Sequence, residues 1–432
     1  YVLEMIKEGA GKKLSVLYPE VEKRIDEIGK ADILVGIPSF RNEKTISKVV
    51  KAASTGINAY FPELKGVIVN ADGGSKDNTR GVVLKTLVHK GVEKIVTPYM
   101  GLNGKGSAFK TIFEIADRLG VKICLVFDSD LRSITPEWVK IFGEPIYKHK
   151  YGFVTPHYLR YKYDGTITNT IAYPLIRALY GLKLRQPIGG EFAFTGALAK
   201  IYSHQDVWGT DIARFGIDIW MTTIAITEGF RVAQAGVGIK LHDPKDPSTD
   251  LKPMFKQVVG TIFSLMLENE VKWKAVERSS TIRTFGKEIP IEDFKGEVIK
   301  SPFSKFKKGW VKRKKIYKKI LKEENYKRLG TLTACSSNTF SFPEDLWAKI
   351  IYDFAIAYNF SEISKDEILD SLYSIYLARV ASFVNETKFI SSMMSESLVE
   401  GAADIFERLK PYLIKRWNKA KKRTRGKLFG LL

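Results

Sequence analysis

Asp128-Ser129-Asp130 follows the apolar run Ile123-Cys124-Leu125-Val126-Phe127 without a break, which sets two carboxylates one residue apart at the end of a buried strand. Residues i and i+2 of an extended chain point the same way, so both carboxylates can face one hard cation that keeps positions open for phosphate oxygens. An uninterrupted apolar run suits a central parallel strand covered on both faces, and ligands of open α/β sheets gather beyond the carboxyl ends of such strands. The chemistry these residues allow is the handling of a nucleotide diphosphate as its Mg2+ or Mn2+ complex. An acidic loop with a capping role would use the same residue types.

Other polar groups fall at similar places. Lys105 sits at the centre of Gly101-Leu102-Asn103-Gly104-Lys105-Gly106-Ser107-Ala108, a glycine-rich loop opening a helix, where an ammonium, backbone amides and a helix start suit a diphosphate. Its spacing is not that of a Walker A motif, which excludes that ATPase reading. The strand Ile33–Pro38 runs into Ser39-Phe40-Arg41-Asn42-Glu43, and Gly66–Asn70 runs into Ala71-Asp72-Gly73-Gly74-Ser75-Lys76-Asp77-Asn78-Thr79, two polar exits fit for a base and ribose. Arg160 offers a planar fork for a carboxylate, and Thr168 lies in a helix first turn where its hydroxyl can join. In Pro187-Ile188-Gly189-Gly190-Glu191 the glycines permit close backbone approach to a ligand and Glu191 can accept from sugar hydroxyls; a tight structural turn is the alternative. Asp218 opens a helix, as a site residue or as a charge on its dipole. His242 ends a later strand and is a candidate third metal ligand.

The elements that must position these groups alternate between strand and helix. Strands are expected at 33–38, 66–70, 123–127, 151–155 and 235–241, and helical spacing appears after Glu43, through Ile171, Leu175 and Leu179, and from Asp218. Leu14, Leu17, Val21 and Ile25 predict an N-terminal helix, and Ile351, Phe354, Tyr358, Leu369, Leu372 and Tyr376 predict C-terminal helices with an apolar face. The 432 residues are 44% hydrophobic, enough for two domains and a large core. Without a long apolar span or a secretory leader, the expectation is a soluble, cytoplasmic protein. Cys124 and Cys335 are the only cysteines and read as packing residues, not as a disulfide or metal pair. The charge of +21 is concentrated at 300–328 and 415–427, in clusters such as Lys312-Arg313-Lys314-Lys315 and Lys421-Lys422-Arg423. We read these as solvated helical faces, with neither nucleic-acid binding nor stable membrane insertion.

From Asp72 to Thr79 the chain resembles the GT-A glycosyltransferases, with one extra glycine, Gly74. Phe127-Asp128-Ser129-Asp130-Leu131, Pro187–Glu191, Phe215-Gly216-Ile217-Asp218 and Leu241-His242 together resemble the retaining synthases of glycerate-based compatible solutes: glucosyl-3-phosphoglycerate, glucosylglycerate and mannosylglycerate synthases. Asn338–Pro343, Trp347 and Tyr352 resemble the helical C-terminal part of the last of these. The resemblance implies a GT-A nucleotide-sugar-binding fold, with a mixed, mainly parallel sheet and helices on both faces, plus a C-terminal α-helical domain. Its boundaries would be a 1–30 extension, a 31–250 catalytic domain and a 251–432 helical domain with a basic tail. It implies Mg2+ or Mn2+ on Asp128, Asp130 and His242; a GDP- or UDP-hexose against Pro38, Glu43, Asp72, Lys105, Ser129, Gly189 and Gly190; and catalytic roles for Asp218, Glu191 and Lys105. It places the acceptor, D-glycerate or 3-phosphoglycerate, on Arg160, Thr168 and Asp218, in a homo-oligomer expected to be a dimer. Thr166 stands where phosphate-reading members carry arginine, which favours free D-glycerate, with nearby Lys162 able to substitute. GDP-mannose as donor, or an inverting polymer or lipid glycosyltransferase with Asp218 as base, are the competing enzymes.

Overall fold

The computed structural model describes residues 15–241, 251–287 and 301–429, with side chains to residue 424. Eight strands form one sheet: β1 (Ile33–Ser39), β2 (Gly66–Asp72), β3 (Val92–Pro98), β4 (Ile123–Val126), β5 (Phe153–Leu159), β6 (Phe192–Thr195), β7 (Val232–Ile239) and β8 (Thr284–Gly286). Their order is β3-β2-β1-β4-β6-β5-β7-β8. Among the described residues only β6 runs antiparallel to its neighbours β4 and β5; the other pairings are parallel. This is the mixed, mainly parallel sheet expected from the sequence.

The helices that bear on the site are α1 (Pro19–Ile28), α2 (Ile46–Tyr60), α3 (Lys105–Arg118), α4 (Pro136–Tyr147), α5 (Tyr173–Tyr180), α6 (Ile217–Thr227), α7 (Lys252–Glu268), α8 (Phe303–Ile320), α9 (Glu344–Phe360), α10 (Lys365–Thr387), α11 (Ser392–Arg408) and α12 (Lys410–Phe429). Alternation along the strands sorts the core into two layers. Leu34, Cys124 and Val126 pack with Phe109, Ile112 and Phe113 of α3. Ile33, Val35 and Leu125 pack with Val49 and Val50 of α2 and with Trp138 and Phe142 of α4. Helix α1 adds Val21, Ile25 and Ile28 to the first layer. Leu14 lies outside the described residues.

The C-terminal helices bury their own apolar cluster, and it runs unbroken into Ile171, Leu175 and Leu179 beside the sheet. On α8 the apolar edge Phe303, Phe306, Trp310 and Tyr317 is buried, while Lys312, Lys314 and Lys315 are exposed, as a solvated amphipathic face requires. No described helix is long and apolar enough to cross a membrane.

Two local expectations change. Strand β5 does not stop before His157 but continues to Leu159, which pairs with Ile239. The helix begins at Thr166 as expected, but it is interrupted by a π turn, Thr168–Ala172, closed by the Tyr173 amide donating to the Thr168 carbonyl. Pro174 supplies a reason: it has no N–H for the Thr170 carbonyl, which accepts from the Trp347 indole at 2.7 Å instead.

His157 on β5 lies beside Arg185 and Glu396; burial, reinforced by Arg185 and opposed by Glu396, pulls it down to about 4 from 6.5. Its folded value lies below the unfolded one, so the stability it contributes is complete above pH 6.5 and is lost as pH falls toward 4. We expect about 2 kcal/mol of this contribution to be gone by pH 5. Urea unfolding at pH 8 and pH 5 checks it. His157→Gln should lose less stability than wild type over that interval, and equal losses would refute the assignment.

Candidate active site

The register of the sheet builds the site. Because β6 is antiparallel to β4 and pairs Phe192 with Val126, the approach to β6 lies against the exit from β4. Gly190 therefore faces Asp128 directly. It adopts φ +94°, and a Cβ there would come within 2.2 Å of Asp128 Oδ2, so only glycine fits. The close approach that the paired glycines were expected to give a ligand is used here by a protein carboxylate.

Five charged groups alternate around this point. Lys105 Nζ lies 2.8 Å from Asp128 Oδ1 and 3.4 Å from Asp218 Oδ1. Lys240 Nζ lies 2.6 Å from Glu191 Oε1 and 3.6 Å from Asp128 Oδ2, and it donates to the Gly189 carbonyl at 2.9 Å. Burial opposes the charge on both lysines, but the carboxylates outweigh it and hold both well above the ordinary lysine range, Asp128 and Asp218 acting on Lys105 and Glu191 foremost on Lys240. Burial raises Asp218, against Lys105, and pushes Glu191 up to about 7 in spite of Lys240. Glu191 Oε2 is buried without a hydrogen-bond partner among the described residues. A buried carboxylate oxygen left in this way is the atom an internal water would serve.

Lys105, Asp128, Asp218 and Lys240 border a cavity of about 600 Å³. Of the expected site residues, Pro38, Lys105, Asp128, Ser129 and Asp130 line it, as do Arg160, Thr168, Gly189, Gly190 and Asp218. Glu43, Asp72 and Glu191 are not on its wall. Asp72 is fully buried and accepts from Ser39 Oγ, Ser75 Oγ and the amides of Gly74 and Ser75 at 2.7 to 3.0 Å, so it ties the β1 and β2 exits together. Glu43 accepts from the Asn78 amide at 3.0 Å. The glycine-rich loop also differs from expectation. The Gly104 amide donates to Tyr99 Oη and the Gly106 amide to the Arg214 carbonyl, and a Gly106 Cβ would come within 1.9 Å of the Ile212 carbonyl. The loop glycines serve packing, and the positive charge presented is the Lys105 ammonium.

Beside Lys240, Arg160 donates to Tyr158 Oη and, at 3.3 Å, to the same Gly189 carbonyl. Its Nε is buried without a partner among the described residues, and its Nη1 lies against Gly165. A guanidinium with unused donors at a cavity wall is fit for a carboxylate. Lys162 is not so placed: its ammonium donates to the carbonyls of Thr387 and Ile390 at 2.8 and 2.7 Å. The sequence reading missed Lys240 and the apolar wall of Ile188, Leu251, Met254 and Val258, and the Tyr158 hydroxyl that donates to the Gly189 carbonyl at 2.6 Å. A second cavity, also of about 600 Å³, is lined by Arg177, Glu407 and Lys410 and includes none of the strand-end residues.

Asp128 and Asp130 give two hard oxygen donors on one wall, a set that fits Mg2+ or Mn2+. His242 lies outside the described residues, and among the described residues no group of three His, Cys, Asp or Glu side chains is arranged to hold a metal.

No family model matches the chain, and no curated protein matches it. Solved structures do. A mycobacterial protein is 22% identical with a TM-score of 0.42, covering 56% of this chain and 77% of that one. Glucosyl-3-phosphoglycerate synthase from Mycobacterium tuberculosis in complex with Mg2+ and UDP is 22% identical with a TM-score of 0.41, covering 56% and 82%. The same enzyme with Mn2+, UDP and glucosyl-3-phosphoglycerate is 21% identical with a TM-score of 0.41, covering 56% and 83%.

Proposed function

We propose that the protein is a metal-dependent, retaining glycosyltransferase that moves a hexose, glucose or mannose, from a UDP- or GDP-sugar to a small hydroxyacid, D-glycerate before 3-phosphoglycerate. The observation that carries this reading is the alternating array Asp218–Lys105–Asp128–Lys240–Glu191 at a cavity bordered by the ends of β1 and β4. Fixed opposite charges in a site of limited water access stabilise a developing diphosphate charge without reorganisation. Lys105 is placed to meet that charge, and Arg160 to take the acceptor carboxylate. Asp218, held by Lys105, is placed to orient the acceptor hydroxyl. The hydroxyl oxygen forms the new bond to the anomeric carbon as the bond to the diphosphate oxygen breaks on the same face, and the hydroxyl proton passes to that oxygen. Asp128 and Asp130, with His242 as the third ligand we assign, would hold Mg2+ or Mn2+; the bound ion supplies Lewis acidity toward the diphosphate.

Thr166 and Lys162 support the unphosphorylated acceptor. The Thr166 hydroxyl is buried against Tyr376, and Lys162 is committed to helix-end carbonyls, so neither presents a cation to a phosphate. A donor-by-acceptor matrix with purified protein tests the reading, with the product anomer read by NMR. Turnover should vanish in EDTA, return with Mn2+ or Mg2+, and give the donor's anomeric configuration; EDTA-insensitive turnover or inversion would overturn it. A tenfold preference in kcat/KM for 3-phosphoglycerate over D-glycerate would overturn the acceptor assignment.

A further inference from the structure

We propose that Tyr376, on helix α10 and outside the cavity wall, is a positioning residue for acceptor recognition, through which the C-terminal helices control the acceptor side of the site. The proposal rests on the reading of Arg160 and Thr168 as acceptor-binding residues.

The wall segment Gly165–Thr168 is held locally by the Asn169 amide, which donates to the Gly165 carbonyl at 2.9 Å. It emerges from a turn and leads into a π turn, a helical form less regular than the α-helix and common at functional segments. Its long-range anchors come from the C-terminal helices. Thr166 Oγ1 and Tyr376 Oη lie 2.5 Å apart, both buried, across 210 residues of chain. Trp347 of α9 donates to the Thr170 carbonyl at 2.7 Å. Arg185, bound at 2.7 and 2.8 Å by Glu396 of α11, donates to Asn169 Oδ1 at 2.8 Å.

Tyr376 differs from the other anchors because it touches two walls. Its ring packs 4.7 Å from that of Phe255 on α7, the helix that brings Leu251, Met254 and Val258 to the cavity. One side chain thus fixes the spacing between the Thr166–Thr168 wall and the α7 wall, and acceptor geometry depends on that spacing. A displacement on the order of 1 Å is enough to spoil a reacting pair.

Tyr376→Phe keeps the ring and removes only the hydroxyl; Thr166→Val cuts the same bond from the other end, and Thr166→Ser retains it. Two readouts are made on each variant: hydrogen–deuterium exchange of 165–172 with and without saturating D-glycerate, and the Michaelis constants for donor and acceptor. We expect exchange of 165–172 to rise about tenfold in Tyr376→Phe and Thr166→Val, with 123–130 unchanged, and the acceptor KM to rise about tenfold, which is one hydrogen bond's worth of binding. The donor KM should stay within about twofold, the double variant should be no worse than either single, and Thr166→Ser should resemble wild type. Unchanged exchange, an equal rise in donor KM, or additive effects in the double variant would overturn the proposal. If D-glycerate slows exchange of 165–172 in wild type but not in Tyr376→Phe while no donor is turned over, the positioning role stands and the glycosyltransferase reading falls. If D-glycerate neither slows exchange nor reacts, Tyr376 does not position an acceptor and the proposal falls.

Discussion

Lys105→Met is expected to lower kcat by about a hundred- to a thousandfold, the usual consequence of removing a fixed donor aimed at developing charge. The ammonium lies between Asp128 and Asp218 with a side chain 14% exposed. Its loss removes the cation from the end of the cavity where the leaving group would sit, and it also strands two carboxylates. Asp218, already raised by burial, then loses the cation that opposes that rise and is pushed up further. The variant should be less stable by about 3 kcal/mol, the cost of breaking a buried pair from one side. Lys105→Arg separates the two effects. It keeps the charge and most of the stability, but a broad fork cannot reproduce contacts of 2.8 and 3.4 Å to two carboxylates from one atom, so kcat stays low. Steady-state kinetics with a fixed donor, together with urea unfolding, check both parts; a Lys105→Met enzyme within about tenfold of wild-type kcat would show that the leaving-group charge is met elsewhere.

The strand ends were legible because they depend on local pattern. An apolar run followed by Asp-Ser-Asp states both a buried strand and its polar exit, and β4 with Asp128 and Asp130 follows from those eight residues alone. The partners of those carboxylates were not legible. Lys240 ends Val237-Gly238-Ile239-Lys240, and sequence spacing does not separate a buried lysine from an exposed one. Its burial follows from Glu191, 49 residues away in the chain, which it meets only because β6 and β7 flank β5. The glycines were read as room for a ligand because a glycine announces close approach without saying of what; Gly190 makes room for Asp128, and Gly106 for the Ile212 carbonyl. Thr166 illustrates the same limit. Its neighbours in sequence predicted a helix start near the acceptor, but its hydroxyl partner lies on α10.

Lys240→Met is expected to destabilise the fold by about 3 to 5 kcal/mol at pH 8, more than any exposed charge change in the chain, because it leaves Glu191 alone in the interior. Glu191 is fully buried, and even with Lys240 at 2.6 Å it titrates only near 7. Without the ammonium its folded-state value rises further. A carboxyl whose folded value exceeds the unfolded one contributes stability that is complete below the unfolded value, here near 4.5, and is lost as pH climbs through the folded value. The penalty in Lys240→Met should therefore be small at pH 5, where Glu191 is protonated, and grow steadily to pH 8. Adding Glu191→Gln removes the stranded charge and should recover most of the stability at pH 8 without restoring activity, since the Gly189 carbonyl has still lost its 2.9 Å donor beside Arg160 and Asp128. Urea unfolding of the wild type, both single variants and the double variant at pH 5 and pH 8 decides the case. A penalty for Lys240→Met that does not change between those two pH values would mean that Glu191 is not the group Lys240 holds in its charged form.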